Sequence, residues 1–153
     1  MTAEQHRRVL VVDDDPEVRA LLATVLRQRS IAVDEAVDGR EAIALLREHV
    51  YSVVLLDLLM PVADGFAVLD ALDAAAATQP VVLVLTAADR QRIDALDSRR
   101  IHGILRKPFL PQDVADVVEA CVEIRGRSAF ETMALATMIT GAPILALLST
   151  SRW

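Results

Sequence analysis

Three consecutive aspartates, Asp13, Asp14 and Asp15, follow one apolar run, and a fourth, Asp57, closes another. Thr86 ends a third run, and Lys107 comes shortly after a fourth. Carboxylates gathered in one place repel each other and raise their own pKa values unless a cation neutralises them. Oxygen-only ligands with no nearby histidine or cysteine favour Mg²⁺ over zinc, and a site with few protein ligands leaves positions for water and a phosphoryl oxygen. Asp57 is then the candidate nucleophile toward a phosphoryl group. In-line attack needs charge neutralised on the equatorial oxygens, which the metal, Lys107 and the Thr86 hydroxyl are suited to supply.

Lys107 is singled out by composition as well as by position. Of the sixteen basic residues fifteen are arginine, and Lys107 is the only lysine in the chain. A chain that otherwise uses arginine has one place where a compact ammonium on a flexible stem replaces a planar fork.

For these residues to meet, distant stretches must end at a common edge. Apolar runs at 9–12, 31–37, 51–56, 81–85 and 101–105 read as five strands. Between them Val18, Leu21, Leu22, Val25 and Leu26 recur at helical spacing, as do Ala42, Leu45 and Leu46, then Val68, Leu69 and Leu72. After the fifth strand Val114, Val117, Val118, Cys121 and Val122 repeat the pattern. The stretch 89–100 has only Ile93, Ala95 and Leu96 as apolar residues, and its position alone demands a crossover helix. Pro16 and Pro111 suit first helical positions, while Asp38 with Glu41 and Asp64 before Phe66 suit N-terminal caps. Strand–helix alternation with continuously apolar central strands implies a parallel sheet covered on both faces by right-handed crossovers. Its functional crevice lies beyond the carboxyl ends of the strands, where Asp13, Asp14, Asp57, Thr86 and Lys107 all fall.

At 153 residues and 54 % apolar content the chain accommodates one α/β domain and a short appendage. A net charge of −6 argues against direct nucleic-acid binding, which needs clustered positive charge. The single cysteine, Cys121, excludes an intramolecular disulfide, and the first residues lack the apolar stretch of a signal peptide, so a cytoplasmic location is expected. Cys121 lies on the apolar stripe of a helix, where a buried inert thiol is expected. His6, His49 and His102 have no partner at metal-ligand spacing and receive no role.

The segments VLVVDDDPEVR, VVLLDLLMPVADGF, VLVLTA and LRKPF occur in that order, each at a strand, within roughly residues 7 to 125. Together they resemble the response-regulator receiver domains of two-component signal transduction, in particular the single-domain, chemotaxis-regulator-like members. The resemblance implies a flavodoxin-like five-stranded sheet of order 2-1-3-4-5. It also implies a signalling module rather than an enzyme, one that takes a phosphoryl group on Asp57 from a histidine kinase or histidine phosphotransfer protein. Carried over by position, Mg²⁺ would be held by Asp13, Asp14, Asp57 and the Leu59 backbone carbonyl, and the phosphoryl group by Thr86, Ala87 and Lys107. The peptide bond before Pro108 is expected to be cis.

The sequence departs from the family at three places. The aromatic that often partners the threonine of the switch is replaced by Ile104, so the switch pair would be Thr86 with Ile104. The positions two after Asp57 and two after Thr86 are Leu59 and Ala88, neither of which can orient an attacking water, so self-dephosphorylation is expected to be slow. A rival reading is a phosphatase of the haloacid-dehalogenase type with Asp13 as nucleophile and Asp15 as acid/base. That reading leaves Asp57 and the following MPVADG without a role.

A domain over residues 1–126 is expected to be followed by an apolar extension over 127–153. Residues 132–151 contain no charge, while Ser128 with Glu131 forms a capping box, Gly141 suits a helix stop and Pro143 a second start. Two short helices are expected, docked on the domain or on a second chain as a dimer interface. The face formed by the expected fourth helix, the fifth strand and the helix after it is an alternative dimer surface. Membrane contact is disfavoured because Gly141 and Pro143 interrupt the apolar stretch.

Overall fold

The computed structural model describes residues 7–61, 65–74, 79–87 and 99–126. Most of the expected helix over 89–100, the expected cap Asp64, Ala88, and the extension 127–153 lie outside the described residues. Within them the chain runs β1 (Arg8–Val12), α1 (Pro16–Gln28), β2 (Ala32–Ala36), α2 (Gly39–Glu48), β3 (Val53–Asp57), α3 (Gly65–Ala74), β4 (Val81–Thr86), β5 (Gly103–Arg106) and α4 (Pro111–Gly126). The strands form one sheet of order β2-β1-β3-β4-β5, and every neighbouring pair is parallel. This is the flavodoxin-like arrangement.

Alternation along the strands sorts the core into two layers, because successive side chains point to opposite faces. Val9, Val11, Val53, Leu55, Leu83 and Leu85 pack against Leu22 and Leu26 of α1 and Val114, Val118 and Val122 of α4. Leu10, Val12, Val54, Leu56, Val82 and Val84 pack the other way, against Ala42 of α2 and Val68, Leu69 and Leu72 of α3. All five residues of β3 are buried, as a central strand covered on both faces requires.

Local chemistry places the helix ends. Asp15 caps α1, its carboxylate accepting from the Glu17 and Val18 N–H groups, with Pro16 in the first helical position. The helix stops where Ser30 enters the left-handed region at φ 58°. There the Ser30 N–H donates to Arg27 O and the Ile31 N–H to Leu26 O, the paired bonds of a Schellman ending without the usual glycine. Asp38 caps α2 through the Glu41 N–H, and the Glu41 carboxylate accepts in return from the Val37 N–H. Arg29, just past α1, donates to Asp116 and Glu119 and so ties α4 to α1.

One polar cluster joins the first three strands at the sheet's amino end. The Asp34 carboxylate of β2 accepts from Arg8 Nε of β1 and from the Tyr51 hydroxyl just before β3, both at 2.7 Å. Burial works to raise the Asp34 pKa, but the bonds from Arg8 and Tyr51 outweigh it and hold the carboxyl below its ordinary value. A depressed carboxyl pKa gives stabilisation that is complete above the unfolded value near 4 and lost as the pH falls through the lower folded value. Urea unfolding should therefore show Asp34→Asn less stable than the unmodified chain by about 1–2 kcal/mol at neutral pH. The gap should close on acidification below about pH 4.

Candidate functional site

The carboxyl ends of β1, β3, β4 and β5 bring the predicted residues together. Asp13 continues β1, its N–H donating to Ala36 O at 3.2 Å. Asp57 is the last residue of β3 and Thr86 the last of β4. Lys107 follows β5, its N–H donating to Thr86 O at 3.1 Å, and the Lys107–Pro108 peptide bond is cis. Asp13, Asp57 and Thr86 are buried, whereas Asp14, Leu59 and Ala87 are exposed at the rim.

The two buried carboxylates share one ammonium. Lys107 Nζ lies 2.6 Å from Asp13 Oδ2 and 3.2 Å from Asp57 Oδ2. Each carboxylate spends its other oxygen on a backbone N–H, Asp13 Oδ1 on Asp15 and Asp57 Oδ1 on Leu59, both at 3.0 Å. Burial pushes the Asp57 pKa above its ordinary value; the Leu59 N–H and the Lys107 charge work against that, while the Asp13 charge adds to it. For Lys107 burial opposes the charge, yet the bond to Asp13 and the two carboxylates outweigh it and raise the pKa of the ammonium.

Asp13, Asp14 and Asp57 each offer a carboxylate oxygen, and the three oxygens lie within 4.8 Å of one another. Three carboxylates against one lysine leave an excess of negative charge. An all-oxygen donor set carrying that excess fits a hard divalent cation. Asp14 is exposed, so the cluster opens to solvent on one side.

Two residues that sequence reasoning left without a role also shape the site. Arg19, one turn into α1, donates from Nη1 to the Asp13 carbonyl at 2.7 Å and fixes the turn after β1. Gly65 opens α3 against the end of β3, where an added Cβ would stand 2.7 Å from Asp57 O and 2.8 Å from Leu58 Cα. An arginine at that helical position and a glycine at a helix start are too common in sequences to have marked either. The two residues expected to form a switch differ in exposure: Thr86 is buried, whereas Ile104, on β5 beside Val84, is 36 % exposed.

A parallel flavodoxin-like sheet with an acidic cluster and a lysine at its carboxyl edge defines a class of α/β signalling domain, and comparison with known proteins agrees. A profile of the response regulator receiver domain matches residues 9–119. The transcriptional regulatory protein ResD of Bacillus subtilis is 32 % identical over 130 residues, which is 85 % of this chain and 54 % of ResD. SrrA of Staphylococcus aureus, also a transcriptional regulatory protein, is 34 % identical over 112 residues, 73 % of this chain and 46 % of SrrA. Among solved structures, the receiver domain of Francisella response regulator 1452 superposes with a TM-score of 0.67 at 28 % identity, covering 76 % of this chain and 97 % of that one. The response regulator TrrA of Thermotoga maritima, solved in complex with Mg²⁺-BeF, gives 0.66 at 29 % identity over 75 % and 98 %. The chain belongs to the response regulator receiver family of two-component systems. It spans about half the length of the curated relatives it matches.

Gly65 tests how tightly the site is built. Gly65→Ala must displace backbone at the end of β3, so a loss of about 1–3 kcal/mol is expected, read as a lowered Tm in a thermal melt.

Proposed function

We propose that Asp57 accepts a phosphoryl group from a histidine kinase or histidine phosphotransfer protein in a Mg²⁺-dependent reaction, and that this changes partner binding or self-association. The observation that carries the reading is the placement of Asp57 beside Lys107, with Asp13 and Asp14 completing an oxygen cluster. A solved relative in complex with Mg²⁺-BeF supports the same assignment of metal and phosphoryl chemistry.

In the transfer an Asp57 carboxylate oxygen forms a bond to phosphorus as the donor's phosphorus–nitrogen bond breaks, and the histidine nitrogen departs with the electron pair. Asp13, Asp14, Asp57 and the Leu59 carbonyl would hold Mg²⁺, which would neutralise charge on the phosphoryl oxygens. Lys107 releases part of its hold on the carboxylates to pair with a phosphoryl oxygen, while the Thr86 hydroxyl and the Ala87 backbone N–H take up others. The Thr86 hydroxyl moving toward the phosphoryl group is what Ile104 would sense. Residues 1–126 carry this chemistry, as a signalling module that catalyses only its own phosphorylation and dephosphorylation. A cytoplasmic location accords with the single cysteine, and the net charge of −6 supports an absence of direct nucleic-acid binding by this domain. The phosphatase alternative, with Asp13 as nucleophile, leaves Asp57 without a role and does not accord with membership in the receiver family.

Incubation with Mg²⁺ and acetyl phosphate is expected to give a base-labile adduct that is absent in Asp57→Ala. Chelation of the metal, or Asp13→Asn, should lower the rate by more than about tenfold. An adduct that persists in Asp57→Ala on another aspartate would sink the proposal.

Leu59, 36 % exposed beside Asp57, presents an apolar side chain where a water must approach phosphorus. Leu59→Asn supplies a hydrogen-bonding group there, so the phosphorylated variant is expected to lose its phosphoryl group about three- to tenfold faster. Phospho-aspartate decay, followed by phosphate release after removal of acetyl phosphate, measures this.

A further inference from the structure

Leu110, Val117 and Ile124 are 67 %, 39 % and 61 % exposed. They follow one another at intervals of seven. Leu110 accepts from the Asp113 and Val114 N–H groups and so stands at the start of α4, with the other two further along it. Seven residues are close to two helical turns, so the three side chains make one stripe about 21 Å long. Gln112, Asp116 and Glu119 turn toward Arg29 at the end of α1, and Val114, Val118 and Val122 face the sheet. The stripe therefore looks away from α1, and no described element covers it.

We infer that this stripe is covered by the chain's own residues 129–140. α4 is described through Gly126, and in the sequence only Arg127 and Ser128 lie between Gly126 and that segment. Phe130, Met133, Leu135, Met138 and Ile139 make it strongly apolar, and no charge occurs from residue 132 to 151. Twelve residues in a helix reach about 18 Å, close to the length of the stripe. Covalent attachment this close in sequence gives the segment an effective concentration of about millimolar at this face, against which a free partner must compete. Charge separates this occupant from a second copy of the chain. Asp113 and Glu123 border the stripe on one side, and an antiparallel copy would set these carboxylates against their counterparts, whereas residues 129–140 bring only Glu131. The segment then acts as a built-in competitor for any protein that reads the outer face of α4.

The test uses the full chain with Cys121→Ser and Val117→Cys, so that one thiol reports on the middle of the stripe. Maleimide labelling is expected to be slow, and to rise about tenfold when Met138→Glu and Ile139→Glu are added, or when Ile124→Glu is added instead. A Leu21→Cys reporter in the same Cys121→Ser background, 49 % exposed on α1, should label at one fast rate in every case. Circular dichroism melts establish that each variant is folded. Equal labelling of Val117→Cys with and without the tail substitutions overturns the inference. So does protection that disappears on dilution while sedimentation shows two chains, or protection that appears only with anionic phospholipid vesicles.

Discussion

Two buried carboxylates sharing a single ammonium are the constraint that the rest of this molecule must satisfy. Taking Asp13 and Asp57 out of water costs several kcal/mol each unless every oxygen finds a partner. Lys107 supplies the charge, and the Asp15 and Leu59 N–H groups take the remaining oxygens. These partners come from three different turns at the ends of β1, β3 and β5, so they can be held at hydrogen-bond distance only by a sheet whose strands end together. The fully buried β3, the two packed layers and the cap at Asp15 all bear on that alignment. Asp15 illustrates the economy of it: its side chain starts α1 while its backbone N–H steadies Asp13.

Much of this was legible in the sequence because the residues concerned announce themselves by position. Apolar runs of strand length mark β1, β3 and β4, and the polar residue that ends each run is the one that reaches the edge. The strand order followed from resemblance, since periodicity identifies elements without ordering them. Asp38 with Glu41 was readable as a cap because the bonding atoms lie three residues apart. Arg19 and Gly65 were not, because their importance depends on what lies across space. The left-handed Ser30 was equally hidden, since no glycine marks the end of α1.

Composition also carried more than its usual share. In a chain with fifteen arginines, a lone lysine bonded to both buried carboxylates shows how a flexible stem and a compact charge fit between two acceptors that a guanidinium fork would spread apart. Ile104 makes the opposite point. An aliphatic side chain on the exposed face of β5 offers neither a hydroxyl nor a ring to grip, so it engages its neighbours through packing alone. Both residues belong to the same short stretch of chain.

That stretch has a consequence of its own. β5 contains four residues, hydrogen-bonds to β4 on one side, and alternates between partly buried and exposed where β3 is buried throughout. The charge that restrains the acidic pair thus comes directly after a lightly anchored edge strand. Elements with few buried contacts open at a smaller free-energy cost than the core. Opening at this edge is therefore expected to cost less than parting the two hydrophobic layers, as with a latch set in a door frame rather than in the wall.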